Sequence, residues 1–129
     1  MKPVIYDAGV LIAADRGDRR IWAEHRVRLE AGYVPLVPAP VVAQASRSAR
    51  QAQLRQLLRG CEVVAFDEEA AHRVGRLLAA SKTADIVDGS VVALAAERKA
   101  EVRTEDDADI QRLISASRAK VRVVGSRDR

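Results

Sequence analysis

From Val4 to Ala14 the chain is a run of small and apolar residues broken by one charge, Asp7. Val4-Ile5-Tyr6 reads as a strand, and Ala8 to Ala14 beyond the charge reads as a helix. A carboxylate inside what would otherwise be core costs stability unless something pairs with it. The turn at Asp7 is therefore the point where fold and function are expected to meet. The run is too short for a membrane span or a signal peptide, and Met1-Lys2-Pro3 leads straight into it. A cytoplasmic protein with no membrane contact is expected.

The same alternation continues along the chain. Helical spacing of Ile21, Trp22, His25 and Leu29 predicts a helix over 18–31, stopped by Gly32. Tyr33 to Val37 reads as a strand that Pro35 keeps short or irregular. Pro40 suits a helix start, with Val41 to Ser48 following, and Gln51 to Arg59 continues helical up to Gly60. Glu62 to Phe66 is a third strand, and Asp67 caps a helix to about Ala80. Thr83 or Asp85 opens another helix reaching Lys99. Glu101 to Arg103, Asp107 to Ala116 and Lys120 to Val124 read as strand, helix and strand.

This order predicts an α/β fold, a mainly parallel sheet of four to five strands between helices on both faces. Only 3% of the 129 residues are aromatic while 48% are hydrophobic, so the core must be aliphatic, which suits buried parallel strands. No repeat or Pro/Gly/Ser linker divides residues 1–129, and one domain is expected. The lone Cys61 excludes an internal disulfide and a cysteine metal cluster, and reads as a small buried hydrophobe. A net charge of +4 fits a polyanionic partner without identifying one.

Open α/β sheets bind ligands beyond the carboxyl ends of their strands, and three acidic segments fall there. Asp7 ends the first strand. Asp106 follows the fourth, in Val102-Arg103-Thr104-Glu105-Asp106. Asp85 and Asp88 stand three apart at a helix start and share a face. Each has a plainer role open to it: Asp7 as a helix cap, Asp85 and Asp88 as a capping pair on the positive end of a helix, and Asp107 as part of a solvated first turn. Carboxylates gathered without His or Cys make a hard-cation site, for magnesium or manganese rather than zinc. Such ions polarise a phosphodiester and activate the attacking water, in pairs roughly 3.5–4 Å apart where two are used. His25 and His72 lie in amphipathic helices away from these segments and are not expected to be catalytic.

With these residues in view the chain resembles the PIN-domain family. Val4-Ile5-Tyr6-Asp7-Ala8-Gly9-Val10-Leu11-Ile12-Ala13 resembles its opening strand and helix. Asp85-Ile86-Val87-Asp88-Gly89-Ser90-Val91-Val92-Ala93 resembles its central acidic helix, and Thr104-Glu105-Asp106-Asp107-Ala108-Asp109-Ile110 its late Thr-x-Asp segment. The compact length resembles the VapC-type toxins of bacterial toxin–antitoxin pairs. The resemblance implies a three-layer α/β/α fold and magnesium- or manganese-dependent RNA cleavage. It also implies a homodimer and inhibition by a small antitoxin. It makes Asp7, Asp88 and Asp106 the catalytic metal ligands, with Asp85 and Asp109 as additional acids and Thr104 as a hydrogen-bond donor to a carboxylate or the phosphate.

One position departs from the family, which usually carries a Glu where Val41-Val42-Ala43-Gln44-Ala45 has Gln44. An amide offers a carbonyl oxygen but no charge. Arg47 and Arg50 are candidate phosphate contacts, whereas Arg55 and Arg59 read as a solvated helix face. The helices holding Ile21 to Leu29 and Leu54 to Leu58 are expected to form an apolar groove for a partner. Two other classes stay open: a phosphoacceptor receiver-like signalling domain, and a catalytically silent PIN fold that only binds RNA or protein.

Overall fold

The computed structural model describes residues 2–105 and 107–125. Its elements run β1 (Val4–Tyr6), α1 (Ala8–Asp15), α2 (Arg19–Glu30), β2 (Leu36–Pro38), α3 (Ala39–Ala45) and α4 (Ala52–Arg59). They continue through β3 (Glu62–Val64), α5 (Glu68–Ser81), α6 (Ile86–Arg98), β4 (Glu101–Arg103), α7 (Asp107–Ser117) and β5 (Val123–Val124). The strands form one five-stranded sheet in the order β3-β2-β1-β4-β5, every pair parallel. That order removes the receiver reading, because flavodoxin-like sheets run 2-1-3-4-5.

The order reverses between β1 and β4. Right-handed crossovers therefore send the helices of the two halves to opposite faces. α1 packs with α2 and α4, while α5, α6 and α7 pack with one another, and α3 touches both α1 and α6. Ile5, Val37 and Val102, one from the centre of each middle strand, are fully buried. At about 1.5–3 kcal/mol for each large aliphatic side chain removed from water, such residues hold the layers together.

Caps account for most boundaries. Asp7, Asp18, Asp67 and Asp85 each precede a helix and accept a backbone N–H from its first turn. Pro35 lies outside β2, so that strand starts later than the sequence suggests, and β5 is shorter than the run 120–124. Gly89 lets α6 approach α5, since a Cβ there would meet Val74 Cγ1 at 2.9 Å and Leu78 Cδ2 at 3.0 Å. Cys61 is half-buried against the core, its thiol donates to the Leu57 carbonyl, and burial pushes its pKa up to about 12. Among the described residues no helix is long and apolar enough to cross a membrane.

One expectation fails here. Ile21, Leu54 and Leu57 turn into the core rather than lining a groove. The apolar surface of α2 lies on its other side, where Val27 is 65% exposed.

Candidate metal centre

β1 and β4 are neighbours with Tyr6 opposite Arg103, so the residues that follow each strand emerge together. The Asp7 amide donates to the Arg103 carbonyl at 3.3 Å, fixing the start of both loops. This is the point where strand order reverses, the usual crevice of an open α/β sheet. α6 packs across β1, β2 and β4, which carries Asp88 in its first turn toward the same edge.

Asp7 is 8% exposed. Its carboxylate accepts the Val10 amide at 3.1 Å and a hydrogen bond from the Thr104 side chain. Burial nevertheless dominates and pushes its pKa up to about 6, against the lowering effect of those donors and of the Arg103 charge. Asp88 is also raised to about 6, first by burial and then by the negative charges of Asp85, Asp109 and Asp7. Asp85 accepts the Asp88 amide at 3.0 Å. Asp109 is solvent-facing and pairs with Arg112 at 3.1 Å.

Asp7, Asp88, Asp85, Asp109 and Thr104 thus fall in one neighbourhood. Asp106 lies outside the described residues. Among the described residues no three carboxylate, histidine or cysteine side chains close tightly enough to hold an ion by themselves. The donor set still fits a hard divalent cation. It is all oxygen, and it contains one buried and one half-buried carboxyl, Asp7 and Asp88, whose pKa values desolvation raises. Asp67 makes the same kind of cap without that burial, accepting Ala70 N at 2.9 Å. Capping alone therefore does not require the environment of Asp7.

Gln44 and Arg47 line a neighbouring depression of about 410 Å³ with Ile12, Asp15, Arg16 and Gln51, and Arg50 is not part of its wall. His25 is buried and shares a 2.9 Å hydrogen bond through Nδ1 with Tyr6 Oη, and burial lowers its pKa, so it belongs to the core.

Sequence reasoning missed Arg103. It is 1% exposed, and its Nε and Nη2 donate to both oxygens of Glu24 at 3.0 and 3.1 Å. Nη1 donates to Glu105 at 2.8 Å and to the Thr104 carbonyl at 2.5 Å. A cation in the short strand Glu101-Val102-Arg103 was the available signal, by the same logic that singles out Asp7.

A family model described as PIN domain matches residues 4–114. No curated protein matches the sequence significantly. Among solved structures, VapBC2 from Rickettsia felis bound to a promoter DNA fragment is similar with a TM-score of 0.68 and 12% identity, covering 95% of this chain and 97% of that one. DNA-bound VapBC from Salmonella typhimurium gives 0.69 and 15%, covering 97% and 98%. FitAB bound to the IR36 DNA fragment gives 0.64 and 18%, covering 95% and 94%. At these identities the likeness is one of fold.

Proposed function

This chain belongs to the PIN domain family, and from that premise we infer that it is a divalent-metal-dependent endoribonuclease, the toxin of a toxin–antitoxin pair. One observation carries the reading. A buried carboxyl, Asp7, and a half-buried one, Asp88, stand with raised pKa values at the switch point of the sheet, and a third acid, Asp106, follows in sequence where the resemblance expects one.

In this reading Asp7, Asp88 and Asp106 hold magnesium or manganese, with Asp85 and Asp109 adding negative charge. The bound ion supplies charge stabilisation at the phosphodiester and an acidified water. The protein's own part is placement. Val10 N–H and the Thr104 side chain orient Asp7, the pairing of β1 with β4 fixes that loop, and the helix cap at Asp85 sets the first turn carrying Asp88. Gln44 and Arg47 border the route the RNA takes to the acids.

The partner reading moves to the outer side of α2. There Ala23, Val27, Ala31 and Tyr33 line a depression of about 430 Å³ rimmed by Arg20, Glu24 and Arg28. An antitoxin segment with apolar side chains fits that surface, and the fold likeness to VapBC and FitAB structures supports such a partner. A homodimer and a cytoplasmic location are retained as parts of the same reading.

Cleavage of a panel of structured RNAs in manganese tests the function. Asp7→Asn and Asp88→Asn should each abolish cleavage, and Glu105→Gln should not. Activity that persists in EDTA, or survives both substitutions, overturns the mechanism. RNA binding without cleavage by pure wild-type protein would instead establish the catalytically silent PIN fold.

A further inference from the structure

Beside the acidic cluster, α1 separates two open depressions. One, of about 520 Å³, is lined by Gly9 and Glu105 at its near end and by Ile12 and Arg16 farther along. The other, of about 410 Å³, holds Gln44 and Arg47 and shares the same Ile12 and Arg16. Each volume is within the range of small-ligand sites. The first depression starts at the carboxylates themselves, since a Cβ on Gly9 would stand 3.5 Å from Asp7 Oδ1 and 3.3 Å from Glu105 Cβ. A side chain at position 9 would fill that entrance, and glycine leaves it open.

Arg16 stands where the two depressions meet, the one arginine that lines both among the described residues, and it is not among the arginines that the fold ties into ion pairs. Arg28 and Arg103 are tied to Glu24, Arg73 to Glu69 and Glu97, and Arg122 to Glu101. Arg16 caps α1 with its backbone amide, is exposed, and its side chain has no ion pair or hydrogen bond among the described residues. The acids lining these walls are already engaged. Asp15 accepts from Gln51 Nε2 and the Leu54 amide, both at 3.1 Å. Asp18 caps α2, and Glu105 is bound by Arg103 at 2.8 Å. Across the second depression Arg47 is braced through Nη1 against the Ala43 and Ser46 carbonyls, at 3.2 and 2.7 Å. A braced guanidinium and an uncommitted one thus border the same hollow, next to carboxylates that hold no phosphate themselves.

We propose that Arg16 is a phosphate contact for the RNA, and that the strand leaves the acidic cluster across the C-terminal half of α1 between Arg16 and Arg47. This inference rests on the ribonuclease reading and adds the direction of the substrate track. Exposed arginine contributes to nucleic-acid affinity by displacing counterions from the phosphates, which makes its share measurable through salt dependence. A role in helix capping alone would leave that dependence unchanged.

The test uses the full chain with Asp88→Asn, in EDTA, to prevent cleavage. Anisotropy of a short fluorescein-labelled single-stranded RNA is titrated across a series of potassium chloride concentrations. Adding Arg16→Ala should weaken binding about threefold to tenfold and reduce the slope of log K against log salt by about one. Arg16→Lys should keep most of the slope. Arg59→Ala, an exposed arginine outside both depressions, should leave it unchanged. RNA binding whose slope is the same with and without Arg16, or is reduced equally by Arg59→Ala, overturns the track while leaving the ribonuclease reading standing. A parent protein that binds no RNA overturns both.

Discussion

β1 and β4 lie side by side, and each carries a buried charge at its carboxyl end: Asp7 just beyond Tyr6, and Arg103 opposite it. Around Arg103 the chain supplies compensation in full, with both oxygens of Glu24, one of Glu105 and a backbone carbonyl. Around Asp7 and Asp88 it supplies more acid. Asp7 has two hydrogen-bond donors but no direct ion pair among the described residues, and Asp88 faces Asp85, Asp109 and Asp7. The same protein, across one strand spacing, shows that it can satisfy a buried charge. The acids left uncompensated are the feature that the proposed metal-binding role of this edge accounts for.

The largest effect should come from breaking the compensated side. Arg103→Met keeps the bulk of the side chain but takes from Glu24, whose side chain is only 9% exposed, its two-oxygen partner, leaves it the looser Arg28 contact at 3.6 Å, and frees Glu105. Removing one member of a buried pair typically costs about 3–5 kcal/mol. Urea unfolding of the metal-free protein should show a loss of that order, and adding Glu24→Gln should recover part of it. A loss below about 1 kcal/mol, the value of an exposed pair, would erase the contrast between the two regions.

How far the sequence carried this picture follows from the same contrast. Strand–helix alternation and capping aspartates located all twelve elements, because periodicity and caps are local properties. Asp7, Asp85, Asp88 and Asp109 were visible as candidates because a strand end or a helix face places them. The Arg103–Glu24 pair was not, since its members are 79 residues apart and meet only once α2 docks beside β4. Arg16 was hidden for a different reason. Many arginines look alike in sequence, and only the folded chain shows which one lines both depressions beside the acids. Of the groove expected from Ile21 to Leu29 and Leu54 to Leu58, the residues Ile21, Leu54 and Leu57 are core instead, because apolar spacing marks a helix's buried face and cannot say what buries it.

On the uncompensated side a smaller effect of opposite sign is expected. Asp7 and Asp88 have pKa values raised from 3.8 to about 6, so the native state binds their protons more tightly than the unfolded chain. Stability should therefore fall as pH rises from about 3.8 to about 6 and remain low above that. Removing the charge at Asp88 removes its share of the cost. In EDTA at neutral pH, Asp88→Asn should gain about 1–2 kcal/mol, discounted for the solvent reaching that side chain. The gain should disappear near pH 4, and the melting-temperature rise that manganese gives wild type should shrink. Scanning fluorimetry at both pH values separates this from capping. A purely structural Asp88 would lose about 1 kcal/mol on substitution and keep the full metal response.

The smallest effect concerns where the acidic region ends. Gln44 lies on α3, exposed, in the depression bordered by Arg16 and Arg47. If the uncompensated field reaches across that hollow, Gln44→Glu adds one more carboxylate to it and should tighten manganese binding. The gain is held to a few-fold, since the new carboxylate also has two guanidiniums, Arg16 and Arg47, within the same depression. An exposed pair of that kind competes with about 0.2–1 kcal/mol. Calorimetric titration of both proteins measures the balance. Tighter metal binding would place position 44 on the uncompensated side, within reach of the ion. Unchanged metal affinity together with weaker RNA binding would place it on the other, where the new charge pairs with the arginines that the phosphates need.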